Sequence, residues 1–142
     1  QTDANQAYFY FATDETVGQV LSTYTPLYFI YSINGADYLT NLGITVAAST
    51  NYHLKIVFGS DRKMSVFVNG VQYGLATSAT TTFDGTTSVT GTTQATIDNR
   101  SQKSAAMTDD INLIPYIGIE AGDGAAAALD VQYEAISRLL FE

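Results

Sequence analysis

Two Asn-Gly dipeptides, each set between runs of β-branched and aromatic residues, restrict the fold of this chain more than any other feature. They occur in "SINGADY" (32–38) and "FVNGVQ" (67–72). Both central residues of a type I′ turn need positive φ, which Asn tolerates and Gly prefers, so each dipeptide predicts a tight β-hairpin. A third reversal is expected at "FGSDRKM" (58–64), which gives a meander from Tyr52 to about Tyr73.

Strand patterns extend over most of the chain. No window has the three-and-four spacing of an amphipathic helix over several turns, whereas short runs rich in β-branched and aromatic residues recur between turn clusters. The chain has 142 residues, of which 46% are hydrophobic, enough for one domain with a core. We therefore expect a single all-β domain over 1–142, with strands at 6–13, 27–33, 37–48, 52–58, 64–70, 111–121 and 128–141.

Several of these runs are apolar on both alternating faces, as at 8–11 and 27–31. Such strands suit the middle of a sheet whose second face is also covered, by curvature, by loops or by a neighbouring subunit. The last run alternates cleanly: Leu129, Val131 and Tyr133 share one face, and polar residues occupy the other.

Residues 76–110 differ from the rest because they are rich in Thr and Ser and poor in large apolar side chains. Thr favours extended backbone but contributes little buried area. An exposed β-arm and a long mobile loop are equally compatible with this composition. In either case we expect an insertion that projects from the sandwich and lies outside its core.

Composition also excludes several function classes. Acidic residues outnumber basic ones 14 to 6, and the cations are scattered, which argues against nucleic-acid binding. Cysteine is absent, so the chain has no disulfide, thiolate nucleophile or zinc-thiolate site. No apolar run approaches the roughly 20 residues of a transmembrane helix, and we expect no membrane partner.

Catalytic signatures are weak. The only histidine, His53, lies in an alternating strand pattern on the same face as Lys55, two residues away, without a nucleophile motif. Asp130 and Glu134 share one face of the last predicted strand, and paired carboxylates are what a glycosidase needs. Exposure of a polar strand face explains them more simply, so we expect no catalytic residues and no enzyme activity.

Metal binding has only loop carboxylates to support it. "MTDDIN" (107–112) and "AGDGAA" (121–126) could offer oxygen ligands to calcium, but neither has the EF-hand spacing. Loop Asp residues usually form turns, so we expect no cofactor and keep calcium as a hypothesis.

Tyrosine usage is the remaining functional signal, since the chain has ten Tyr and no Trp. Tyr can lie half-buried at a contact, with its ring stacked and its hydroxyl hydrogen-bonded. Packing in a two-layer core is the simpler interpretation. The functional interpretation is a subunit interface or a sugar-stacking platform formed by Tyr8, Tyr10, Tyr28 and Tyr31.

The order of strands and turns resembles the concanavalin A-like (laminin G-like) jelly-roll modules of phage virion proteins. The similarity covers "GITVAASTNYHLKIVFGSDRKMSVFVNGVQYG" (43–74) and "DINLIPYIGIEAGDGAAAALDVQYEAI" (110–136). The matching residues are Tyr52-His53-Leu54, Val68-Asn69-Gly70, Pro115-Tyr116-Ile117-Gly118 and Leu129-Asp130-Val131-Gln132-Tyr133.

This resemblance implies a two-sheet antiparallel jelly-roll sandwich. It also implies a non-enzymatic structural or attachment protein of the virion, such as a capsid-decorating or tail-fibre module, whose partners are other virion subunits and often its own copies in a trimer. A carbohydrate-binding module that recognises host-surface glycans is the alternative, and a sandwich glycoside hydrolase is the third. The chain starts at Gln1 and lacks the upstream strands of such modules, so we expect it to be the C-terminal part of a longer protein.

Overall fold

The computed structural model describes residues 4–11, 26–80, 91–97, 99–109, 114, 116–117 and 130–137. Within these residues the fold is all-β, with one short 3₁₀ turn at Gln94–Thr96 and no α-helix. The strands are β1 Gln6–Tyr10, β2 Pro26–Ile33, β3 Ala36–Thr45, β4 Leu54–Phe58, β5 Met64–Val68, β6 Val71–Tyr73 and β7 Thr92–Thr93.

The first sheet has the strand order β1-β2-β3-β7. β2 and β3 form a hairpin whose turn residues, Asn34 and Gly35, have φ of 50° and 80°, as a type I′ turn requires. β7 pairs with β3 in parallel, with Thr40 opposite Thr92. The expectation of purely antiparallel sheets is therefore wrong at this edge, because the chain returns to the first sheet by crossing over from the second.

The second sheet is the predicted meander, in the order β4-β5-β6. Asn69 and Gly70 have φ of 51° and 81° in the turn between β5 and β6. The β4–β5 reversal is closed by a hydrogen bond from the Gly59 N–H to the Lys63 carbonyl, 2.9 Å long. All three predicted reversals are thus confirmed.

The main core lies between the two sheets. β2 contributes Leu27, Phe29 and Tyr31, and β5 contributes side chains that face them. These side chains are at most 3% exposed. The buried members of this core are Leu27, Phe29, Tyr31, Leu42, Met64, Val66, Val68, Leu75 and Met107.

The opposite face of the first sheet carries a smaller apolar cluster. Tyr28, Ile30 and Leu39 are buried there, and Tyr8 and Tyr10 pack against them partly buried. β2 is therefore buried on both faces, which confirms the prediction made from its doubly apolar pattern. The same prediction is wrong for 8–11, because β1 is an edge strand of the described sheet and its residues are only half-buried.

The described part of the Thr-rich segment does not project from the sandwich as its composition predicts. Ile97, Ser104 and Met107 are at most 7% exposed, and Met107 belongs to the main core. Backbone hydrogen bonds attach this stretch to β5 and the turn before it, from Ser104 N–H to the Met64 carbonyl and from Met107 N–H to the Arg62 carbonyl. Described residues from 91 to 107 thus complete the sandwich and do not project from it, while 81–90 lie outside the described residues.

The last two predicted strands are not found in the residues that the structure describes there. Residues 130–137 are exposed and belong to no strand. Ile114, Tyr116 and Ile117 are likewise exposed and outside any strand, and the rest of 111–121 lies outside the described residues. The alternating pattern at 130–137 is suited to a strand, but a strand also needs a neighbour, and these residues have none in the described part of the chain.

Candidate functional site

The four tyrosines of the sequence analysis lie on two different surfaces. Tyr8, Tyr10 and Tyr28 share the outer face of the first sheet, whereas Tyr31 points into the main core. The Tyr8 and Tyr10 rings meet edge to face, with centroids 6.4 Å apart, and both side chains are half-buried. Tyr28 is only 1% exposed, so of these three tyrosines only Tyr8 and Tyr10 are partly exposed.

Tyr31 has a structural role. Its ring stacks on Tyr38 with centroids 4.5 Å apart and planes 5° apart. Its hydroxyl donates to the Ala76 carbonyl and accepts from the Ala105 N–H at 3.0 Å. Burial raises the pKa of Tyr31 to about 12, although the Ala105 hydrogen bond opposes this change. A neutral, buried phenol of this kind joins distant chain segments and offers no open face to a sugar.

The most unusual surface lies along β4, an edge strand, on the face that is directed toward the core. The core-facing side chains of β4 lie opposite buried partners on β5, with Ile56 paired to Val66 and Phe58 to Met64. The partners are fully buried, yet Ile56 is 41% exposed and Phe58 43%. In the described fold the sandwich is therefore open along β4, where three apolar side chains remain exposed. We call Leu54, Ile56 and Phe58 the β4 apolar row.

The backbone of the β4 apolar row also faces outward. His53 exchanges hydrogen bonds with Asn69 of the β5–β6 turn, through its carbonyl at 2.9 Å and its N–H at 2.8 Å. Hydrogen-bonded and outward-facing residues alternate along an antiparallel strand. The N–H and C=O groups of Leu54, Ile56 and Phe58 consequently point away from β5. Among the residues that the structure describes, no strand pairs with this edge.

The charges near β4 differ from those of the chain as a whole. The formal net charge is -8, but β4 and the turn after it carry Lys55, Arg62 and Lys63 against one carboxylate, Asp61. The Lys55 ammonium lies 5.5 Å from the centroid of the Phe67 ring, on the face opposite the β4 apolar row. β4 therefore has an apolar face toward the core side and an opposite face that carries one lysine.

One ion pair stabilises the turn beside this surface. The Lys103 ammonium donates to the Asp61 carboxylate at 2.9 Å, and the Lys63 N–H donates to the same side chain at 3.2 Å. The hydrogen bond from Lys103 is the larger reason that the pKa of Asp61 is lowered. The Asp61 side chain is 45% exposed, so its role is to shape the turn.

The carboxylates considered for catalysis are not in an enclosed site. Asp130 and Glu134 both lie in the exposed segment 130–137. The one ring contact of this segment among the described residues joins Tyr133 to His53, with centroids 6.0 Å apart. This contact places the segment next to the start of β4.

A shallow polar depression lies at the side of the molecule where β6 ends. Its volume is about 290 Å³. Its walls consist mainly of hydroxyl and amide side chains, including Thr77, Asn99 and Gln102. Such groups can hydrogen-bond a polar ligand, but the lining includes no aromatic ring on which a sugar could stack.

The loop carboxylates considered for calcium do not form a cluster in the described part of the chain. The described residues contain no group of three or more potential metal ligands. Asp109 of the first calcium candidate pairs with Arg62 at 3.4 Å, and 121–126 lies outside the described residues. In the described ranges, no helix has the length and hydropathy needed to cross a bilayer.

Sequence reasoning predicted β4 as a strand but missed its apolar row as a candidate site. The available signal was the alternation of Leu54, Ile56 and Phe58 with Lys55, which indicates a two-faced strand without indicating what covers either face. Comparisons with family models, curated proteins and solved structures give no match.

Proposed function

We propose that this chain is a non-enzymatic structural module of a virus particle that acts by associating with other subunits. The observation that carries the proposal is the β4 apolar row, which has core-type side chains about 40% exposed beside an unpaired strand edge in the described fold. Natural sheets usually protect such edges, so an unprotected one favours an intermolecular partner.

The finer parts of the proposal come from the sequence resemblance. They are a concanavalin A-like jelly-roll, a location in the virion as a capsid-decorating or tail-fibre protein, and partners that include further copies of the chain, as in a trimer. The all-β architecture with two packed sheets is compatible with this assignment.

Light scattering on the purified chain tests the association. A defined oligomer at micromolar concentration is the expected result. Substitution of Ile56 by Lys should weaken it, because a charge on an edge strand opposes pairing. A chain that stays monomeric over this range, with wild-type and variant alike, would contradict the assembly function.

A carbohydrate-binding module is the second candidate, favoured by the half-buried Tyr8 and Tyr10 rings on the outer face of the first sheet. Tyr rings of this kind can stack on sugar faces. A glycan array with wild-type chain and the Tyr8→Ala and Tyr10→Ala variants tests it. Glycan capture that both substitutions remove would favour this function over assembly, and binding that neither affects would exclude these rings as the platform.

A further inference from the structure

Residues 130–137 and the outer edge of β4 each lack a neighbouring strand in the described part of the chain. The segment alternates apolar and polar side chains, with Val131 and Tyr133 46% and 67% exposed. Among the described residues it makes no backbone hydrogen bond. β4 offers outward N–H and C=O groups at Leu54, Ile56 and Phe58. The described part of the chain thus contains both a strand pattern without a neighbouring strand and a strand edge without a partner.

The two faces of the segment match the two faces of β4. If the segment pairs beside β4, Val131 and Tyr133 can extend the β4 apolar row on the core side. Asp130 and Glu134 then share the other face with Lys55. Opposite charges on neighbouring strands attract, and Lys55 is the one charged residue of β4.

The chain's own segment already reaches β4 without pairing to it. The Tyr133 ring lies 6.0 Å from that of His53, just before β4 begins, yet neither the edge nor the segment gains a ladder partner in the described part of the chain. Each copy therefore presents one donor segment and one acceptor edge. A two-fold axis would satisfy both at once, with two identical contacts per dimer.

We propose that residues 130–137 of a second copy add as a strand to the outer edge of β4, so that two chains exchange these segments. The proposal rests on the proposed assembly function and specifies its contact, which is that of a two-fold dimer in place of the trimer that the resemblance implies. Main-chain hydrogen bonds would provide the affinity, and the apolar and charged faces would set the register.

A charge exchange tests this pairing in the full chain. One variant carries Lys55→Glu and the other carries Asp130→Lys with Glu134→Lys. Each variant alone should self-associate about tenfold more weakly, because like charges meet at both contacts. Mixing the two should restore association, since the introduced carboxylate of one chain then faces the introduced ammonium groups of the other and the remaining contact is wild-type. Arg100→Glu, an exposed charge change outside β4, is the matched control.

A backbone variant provides an independent arm. Ile56→Pro removes an outward N–H from β4, and Gln72→Pro makes the same change at the opposite edge of the second sheet. Only the first should weaken the dimer, with circular dichroism confirming that both fold.

The outcomes separate the two proposals. An oligomer that is insensitive to the charge variants and to Ile56→Pro would overturn the strand exchange and leave the assembly function standing. Weakening by both charge variants without recovery on mixing would indicate pairing within one chain and would also overturn the exchange. A monomeric wild-type chain would contradict both.

Discussion

The hydroxyl of Tyr31 accepts a hydrogen bond from the backbone N–H of Ala105 at 3.0 Å, across 74 residues of sequence. The same hydroxyl donates to the Ala76 carbonyl. The single hydroxyl of Tyr31 in β2 therefore hydrogen-bonds residues near both ends of the Thr-rich stretch, 76–110. This arrangement explains how a segment with few large apolar side chains is held on the core.

Removing this hydroxyl should destabilise the fold. Tyr31→Phe keeps the ring and its stacking on Tyr38 but leaves the buried Ala76 carbonyl and the part-buried Ala105 N–H without their partner. We expect a loss of about 1–3 kcal/mol in the free energy of unfolding, measured by urea titration. Tyr52→Phe, which removes a hydroxyl with exposed hydrogen bonds, is the control and should cost less. Equal losses would show that the Tyr31 hydrogen bonds contribute no more to stability than those of Tyr52.

Alkaline pH should weaken the fold through the same group. The pKa of Tyr31 is about 12 in the folded chain and near its ordinary value of 10.0 in the unfolded chain. Between these values the unfolded chain binds fewer protons than the folded chain, so stability falls as pH rises. The contribution is fully present below about pH 10 and is lost as pH rises through about 12, with a slope of up to about 1.4 kcal/mol per pH unit.

Urea titrations at several alkaline pH values would measure that slope. Tyr31→Phe removes the titrating group, so its stability should fall less steeply with pH than that of the wild-type chain. Parallel pH dependences for the two proteins would contradict the assignment to Tyr31.

Gly74 should not tolerate a side chain. A Cβ at this position would lie 2.6 Å from the Asn99 carbonyl oxygen and 2.6 Å from Cγ2 of Ile97. Because a backbone oxygen cannot move as a side chain can, Gly74→Ala should cost about 1–3 kcal/mol. The exposed Ser78→Ala serves as a control and should change the midpoint of thermal unfolding little. A Gly74→Ala protein as stable as wild type would mean that Ile97 and Asn99 do not pack against Gly74 as described.

The exposure of the β4 apolar row predicts that truncating its larger side chains costs less stability than truncating smaller buried ones on β5. Ile56 and Val66 are cross-strand partners on one face, but Val66 is fully buried and Ile56 is 41% exposed. At concentrations where the chain is monomeric, Val66→Ala should cost about 2 kcal/mol and Ile56→Ala less, although Ile56 loses more atoms. In the oligomer Ile56→Ala should additionally weaken association. A larger cost for Ile56→Ala in the monomer would show that β4 is covered within the chain.

The local part of the fold could be predicted because short-range chemistry decides it. Asn34-Gly35 and Asn69-Gly70 adopt positive φ, and the flanking residues lie in register on either side of these turns. The doubly apolar pattern of β2 correctly indicated burial on both faces. These outcomes depend on backbone conformation and on side-chain alternation within a few residues.

The errors share a different cause. Met107 and Ser104 lie in a stretch whose composition indicates exposure, and they are buried because Tyr31 and Met64 provide partners far away in sequence. Val131 and Tyr133 have the alternation of a strand and remain exposed and unpaired in the described fold. Composition indicates which side chains of a segment could be buried, whereas burial itself depends on which other segments pack against them.

The sequence by itself determined the all-β class, the three reversals and the five strands from β1 to β5. Only the tertiary structure decided which of them are covered. The rows Leu54-Ile56-Phe58 and Met64-Val66-Val68 have the same apolar spacing and share one face of one sheet. One row is buried and the other is not, because β5 lies between two strands under the first sheet while β4 lies at the edge, and position in a sheet is set by contacts between distant residues.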